Sequence, residues 1–77
     1  MASVPAQVAR LLKGAFTSEQ PVEGWRHFHV IAVQRRDGAW CAELAASCDA
    51  ARRVWVPASR LLRQEGWRAG WTPLREL

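Results

Sequence analysis

Seventy-seven residues, 8.7 kDa, suffice for one domain and exclude two. A chain of this size buries only about 60% of the surface it exposes when unfolded, so an eight-unit barrel, a doubly wound sheet or an interdomain cleft is excluded. Charged residues at 23% and apolar residues at 49% exclude wholesale disorder, and the formal net charge is +4.

In chain order, Ser3 is placed to cap a short helix carrying Val4, Val8, Leu11 and Leu12 at helical spacing, with Pro5 in its first turn and Gly14 as its stop. Ala15–Glu19 reads as a short strand ended by Pro21. Glu23-Gly24 then turns the chain into a long strand, Trp25–Arg35. Asp37-Gly38 is a hairpin signal, because a type I′ turn needs positive φ at both central residues. Ala39–Ser47 is the returning strand, Asp49-Ala50-Ala51 a second turn, and Arg52–Pro57 a third hairpin strand centred on Val54, Trp55 and Val56. Ser59–Glu65 reads as two helical turns closed by Gly66, with Trp67 packing back on Leu62.

If Asp37 and Gly38 are the loop residues, paired positions in the hairpin sum to 75. That register puts Trp25, His27, His29, Ile31 and Val33 on one face, against Cys48, Ala46, Leu44 and Ala42. Phe28, Val30 and Ala32 share the other face with Cys41, Glu43 and Ala45. The expected fold is α+β: a single domain over residues 1–77, with a three- to four-stranded antiparallel sheet and short flanking helices. Residues 1–6 and 74–77 are expected to fray.

Three chemistries have candidate residues in the chain. His27 and His29 point to one side of a strand with Cys48 opposite, but no fourth ligand accompanies them, so no metal is assigned. Cys41 and Cys48 lie seven positions apart and on opposite faces, about 20 Å along one strand, which is beyond disulfide reach. Ser18, Ser47, Ser59 and the two cysteines sit in no nucleophile elbow, and no phosphate loop or carboxylate pair is present. The chain is therefore read as non-catalytic and without a cofactor.

The charge is unevenly placed. Residues 1–51 carry five basic and five acidic side chains, whereas 52–77 carry six arginines against Glu65 and Glu76. Five tryptophans accompany this charge. Arginine with tryptophan suits either a protein-binding hot spot or the stacking surface of a single-strand nucleic-acid binder. In a core this small, tryptophan also serves as filler, and Trp55 and Trp67 are expected inside. The expected binding residues are Arg52, Arg53, Arg60, Arg63, Arg68, Trp71, Trp25 and His27. The expected function is a small binding or adaptor domain presenting this surface to a protein partner, with nucleic-acid binding by the same surface as the alternative. No apolar run reaches the roughly 18 residues of a membrane span, and the start lacks the basic segment of a signal peptide. A cytoplasmic monomer is the expectation.

The order of several short motifs resembles a family of short tryptophan-rich bacterial proteins of unknown function. These are Leu11-Leu12, Thr17, Pro21, His27-Phe28 with Val30, Gly38, Cys41, Ala45, Trp55-Val56-Pro57, Leu61 and the closing Trp67-Arg68-Ala69-Gly70-Trp71. The chain departs from the family pattern at Gln7-Val8 (usually Asn-Pro), at Phe16 (usually Trp) and at Trp25-Arg26 (usually Glu-Lys). The resemblance implies no reaction, and it directs attention to His27 and the Gly70-Trp71 end.

Overall fold

The computed structural model describes residues 3–77. Met1 and Ala2, the first part of the segment expected to fray, lie outside the described residues. The chain starts with a single helical turn, α1 (Ala6–Ala9). Ser3 does not cap it. Pro5 occupies the N-cap position, and its carbonyl accepts from the Val8 and Ala9 amides at 3.0 and 2.9 Å. Nor does Gly14 supply the left-handed stop, because Lys13 adopts it (φ 65°). Gly14 is needed for room instead: a Cβ there would lie 2.9 Å from the Leu11 carbonyl oxygen.

Five strands follow: β1 (Ala15–Val22), β2 (Trp25–Arg36), β3 (Ala39–Ala46), β4 (Asp49–Pro57) and, after the short helix α2 (Ala58–Leu62), β5 (Trp67–Ala69). A 3₁₀ turn at Leu74–Glu76 ends the chain. The strands form one antiparallel sheet in the order β4-β3-β2-β1-β5, so the strand count exceeds the three or four expected and sheet dominates over helix. The additional strand is β5. Its three residues pair with Phe16, Thr17 and Ser18, a length too short for a period-two pattern to register in sequence.

Both glycine turns behave as their chemistry requires. Glu23-Gly24 and Asp37-Gly38 hold φ of 51° and 87°, and of 50° and 80°, closing two-residue hairpins with Val22 opposite Trp25 and Arg36 opposite Ala39. From the Asp37-Gly38 turn the pairs sum to 75 as far as Ala32 and Glu43, then to 74 from Val30 and Leu44 onward. Ile31 is the extra residue of a β-bulge. This corrects the expected faces. The bulge turns Phe28 and Val30 to the side that also carries Val33, Ala42, Leu44 and Ala46, merging two apolar sets into one buried face. It also removes Cys48 from the position opposite His27; the Ser47 amide instead donates to the His27 carbonyl at 2.9 Å.

The second turn falls at Ser47-Cys48, because Ala46 pairs with Asp49. Asp49-Ala50-Ala51, expected as the turn, is a bulged stretch of β4 in which the Asp49 carboxylate accepts from the Ala51 amide at 3.1 Å. β1 likewise runs through Pro21 to Val22, arching away from β2 between Thr17 and Val22.

The helices cover one face of the sheet. Val8 of α1 and Leu11 just after it, with Ala58 and Leu61 of α2, join Phe16, Phe28, Val30, Leu44, Val56 and Trp67 in the core. α2 is shorter than the expected Ser59–Glu65, and Gln64 (φ 54°) ends the turn that follows it. Trp67 packs not on Leu62, which is exposed, but edge-on against Phe28 with centroids 5.5 Å apart. Trp55 is not inside. Val54 and Val56 flank it with their side chains toward the core, so alternation turns its indole outward, where the Arg36 guanidinium lies 4.7 Å from the ring centroid.

Candidate functional site

On the face of the sheet away from the helices, the fully buried Thr17 organises the C-terminal segment. Thr17 sits between His27 of β2 and Arg68 of β5. A buried hydroxyl needs partners, and here its Oγ1 donates to the Gly70 carbonyl at 2.8 Å and accepts from the Thr72 amide at 2.9 Å. Gly70, at φ 82°, donates its own amide to the Ala15 carbonyl at 2.8 Å and then turns the chain across the sheet.

That turn delivers Trp71 and Thr72 to His27. The Thr72 carbonyl lies 2.6 Å from His27 Nε2, and a carbonyl can only accept, so Nε2 carries the hydrogen. The Trp71 indole stacks on the imidazole with centroids 6.0 Å apart and planes 26° apart, while its Nε1–H donates to the Phe28 carbonyl at 2.8 Å. Trp71 is nevertheless 52% exposed. A large aromatic is thus fixed at the surface by a ring stack and a hydrogen bond. Trp67 and Trp71 lie on opposite faces because Gly70 breaks the strand alternation between them.

Beside this stack lies a cavity of about 240 Å³. Its walls are mainly apolar, from Pro21, Trp25 and Leu74, and His27 borders both the stack and the cavity. Arg26 and the Ser47-Cys48 turn complete the lining. Arg26 fills the arch of β1: its Nε–H donates to the Ser18 carbonyl at 2.9 Å and a terminal nitrogen donates to the Glu19 carbonyl. The Ser47 hydroxyl and Cys48 thiol lie 3.8 Å apart. Both cysteines are free thiols. Among the described residues no three His, Cys, Asp or Glu side chains converge on a metal-sized site.

Of the residues singled out in sequence, Trp25, His27 and Trp71 come together here. Arg52 stands at the rim, paired with Glu23 at 3.8 Å and Asp49 at 3.6 Å, neighbours of the lining residues Gly24 and Cys48. Arg68 is on β5 and pairs with Glu19 at 3.7 Å. The remaining arginines are elsewhere. Arg53 lies on β4, about 19 Å across the sheet from β5 by strand spacing, and Arg60 and Arg63 lie on and just after α2. Arg53, Arg60 and Arg63 therefore stand apart from the cluster around Trp71.

Sequence reasoning missed Thr72, Ser47, Cys48 and Leu74 as parts of this site. Gly70 beside Trp71 was the one local signal that the chain folds back. Thr17, His27 and Gly70-Trp71, separate motifs of the family resemblance, prove to be contacts of one cluster.

No helix among the described residues is long and apolar enough to cross a membrane. No curated protein and no solved structure matches the chain. Residues 15–72, from the first strand through the Thr72 contact, match the family model described as Tryptophan-rich protein (DUF2389), and the chain belongs to that family.

Proposed function

We propose that this chain is a non-catalytic binding module that docks a protein partner on the surface around Trp71. The observation that carries the reading is the combination of exposure and fixation at this indole, which is half exposed yet held by the Phe28 carbonyl and the His27 ring. An aromatic already ordered in the free protein loses little entropy on binding, and tryptophan is among the residues that dominate interface energies. Leu74 and Trp25 add apolar surface beside it, while the Arg52–Glu23 and Arg68–Glu19 pairs supply a polar rim of both signs.

Nucleic-acid binding by the same surface is less well supported. Arg52, Arg63 and Arg68 already face carboxylates, and a face of Trp55 is occupied by Arg36. Free thiols at Cys41 and Cys48 suit a reducing cytoplasm, and the module acts as a monomer in this reading.

The test immobilises the wild-type chain and the Trp71→Ala variant, captures binding proteins from a lysate, and titrates the purified binder and an oligothymidylate against both. Trp71→Ala is expected to weaken the protein partner about tenfold or more, with shallow salt dependence. Capture indifferent to Trp71→Ala contradicts the reading. So does oligothymidylate binding whose log K falls by about 0.7 per phosphate with log salt.

A further inference from the structure

We propose that the free edge of β4 pairs with β4 of a second copy of this chain, antiparallel and centred on Val54, so that the two sheets become one. β4 is an outer strand, and the opposite edge is the three-residue β5 beside the Trp71 cluster. Pairing through β4 therefore leaves the Trp71 surface of each copy free. The monomer of the binding reading above becomes one protomer of a pair, and each protomer still docks its partner independently.

Hairpin geometry decides which backbone groups of β4 are free. The two-residue turn at Asp37-Gly38 makes Arg36–Ala39 a hydrogen-bonded pair. Alternation along β3 then directs Cys41, Glu43 and Ala45 to β2, and Ala42, Leu44 and Ala46 to β4. The Ser47 amide on the His27 carbonyl follows the same alternation. Val54 and Val56, opposite Leu44 and Ala42, accordingly bond to β3, whereas Arg53 and Trp55, opposite Ala45 and Glu43, direct N–H and C=O outward. Among the described residues nothing outside the sheet bonds to these groups. On either side the edge is closed. The Asp49 carboxylate accepts from the Ala51 amide at 3.1 Å within the bulge, and Pro57 has no N–H. One short window remains.

That window is complementary to itself. Arg53 and Trp55 share the face away from the helices, where the Trp55 ring already takes the Arg36 guanidinium at 4.7 Å from its centroid. With Val54 opposite Val54 of the other copy, Arg53 of each copy faces Trp55 of the other. The two pairs then exchange every outward N–H and C=O group of Arg53 and Trp55. Arg53, which has no carboxylate partner among the described residues, gains an aromatic face in each pair. Centring on Arg53 instead sets two arginines opposite each other, and centring on Trp55 puts Arg53 against Pro57, which returns no N–H. Only the Val54 register uses every free group. A window this short buries less than a stable dimer needs, so the pair forms at about 0.1 mM and above. Because the same edge is used on both copies, association closes at two chains.

The experiment is sedimentation equilibrium of the full chain from about 10 µM to about 1 mM, a range that brackets a weak interface, with isotope-filtered NMR of mixed labelled and unlabelled chains. The mass is expected to rise from one chain to two and stop there. An intermolecular contact is expected between the Val54 Hα atoms of the two copies, which a non-hydrogen-bonded pair brings together. Trp55→Pro removes an outward N–H and no bond to β3, so it is expected to abolish pairing while the thermal transition is retained. Should proline disturb β4, Trp55→Thr keeps the strand, removes the aromatic face and weakens pairing about tenfold. A single-chain mass at the highest concentration overturns the inference, as does a mass that grows past two chains. So does a dimer indifferent to Trp55→Thr, or one whose intermolecular contacts fall on β5 and Trp71.

Discussion

The imidazole of His27 and the indole of Trp71, 44 positions apart in sequence, stack with their planes only 26° from parallel. Strand pairing with Thr17 places His27, whereas Trp71 lies beyond the last strand. Gly70 turns the chain out of β5, and Thr17 holds that turn from below. The tail is consequently part of the domain's structure, and its two tryptophans divide the work. Trp67 is 5% exposed within the core, whereas Trp71 lies outside on the opposite face.

Thr17→Val keeps the shape and deletes both hydrogen bonds, leaving the Gly70 carbonyl and Thr72 amide without their partner. The expected cost is about 1–3 kcal/mol, measured by denaturant unfolding. Trp71 fluorescence shifts to the red as the indole leaves His27. An unchanged spectrum would mean that Thr17 does not position Trp71.

Trp67→Ala is expected to cost about 3–5 kcal/mol, enough to unfold a domain of this size or nearly so. Trp71→Ala costs less, about 1 kcal/mol, since half of its surface is already in water. Truncation after Gly66 removes β5 together with the tail and is expected to leave no cooperative thermal transition. A truncated chain melting with the full chain would contradict the assignment of β5.

Gly14→Ala places a methyl group 2.9 Å from the Leu11 carbonyl and 3.2 Å from the Phe16 ring, two atoms held by the fold. The expected loss is about 1–3 kcal/mol in thermal or denaturant unfolding.

Deletion of Ile31 is expected to leave a folded protein. It removes the bulge and lets Val30–Leu44 and Ala32–Glu43 follow one another in regular register, with the apolar residues still on one face. Retained amide dispersion and a cooperative melt are the readout; a disordered spectrum would show that the bulge residue is itself required.

The two glycine hairpins and the family were legible in sequence because their signals are local, whereas the turn at Ser47-Cys48, which has no glycine, was not. Glu23-Gly24 and Asp37-Gly38 permit few backbones other than the turns they make. The bulge at Ile31 was not legible. An inserted residue leaves no composition mark, and it reveals itself only when two half-patterns, Phe28-Val30 and Ala42-Leu44-Ala46, must share one core. Trp55 was misplaced because size suggested burial while alternation, set by Val54 and Val56, turned it outward. The candidate site was legible as single residues, Trp25, His27 and Trp71, and not as an assembly. Its geometry depends on Thr17 and Thr72, whose importance lies in contacts across 55 positions.

The central claim is tested most directly by mapping amide and indole resonances of the labelled full chain as its purified partner is added. The account predicts that the largest changes fall on Trp25, His27, Cys48, Leu74 and the Trp71 indole. Changes centred on Arg60 and Arg63 of the helical layer, with the Trp71 indole unmoved, would contradict it.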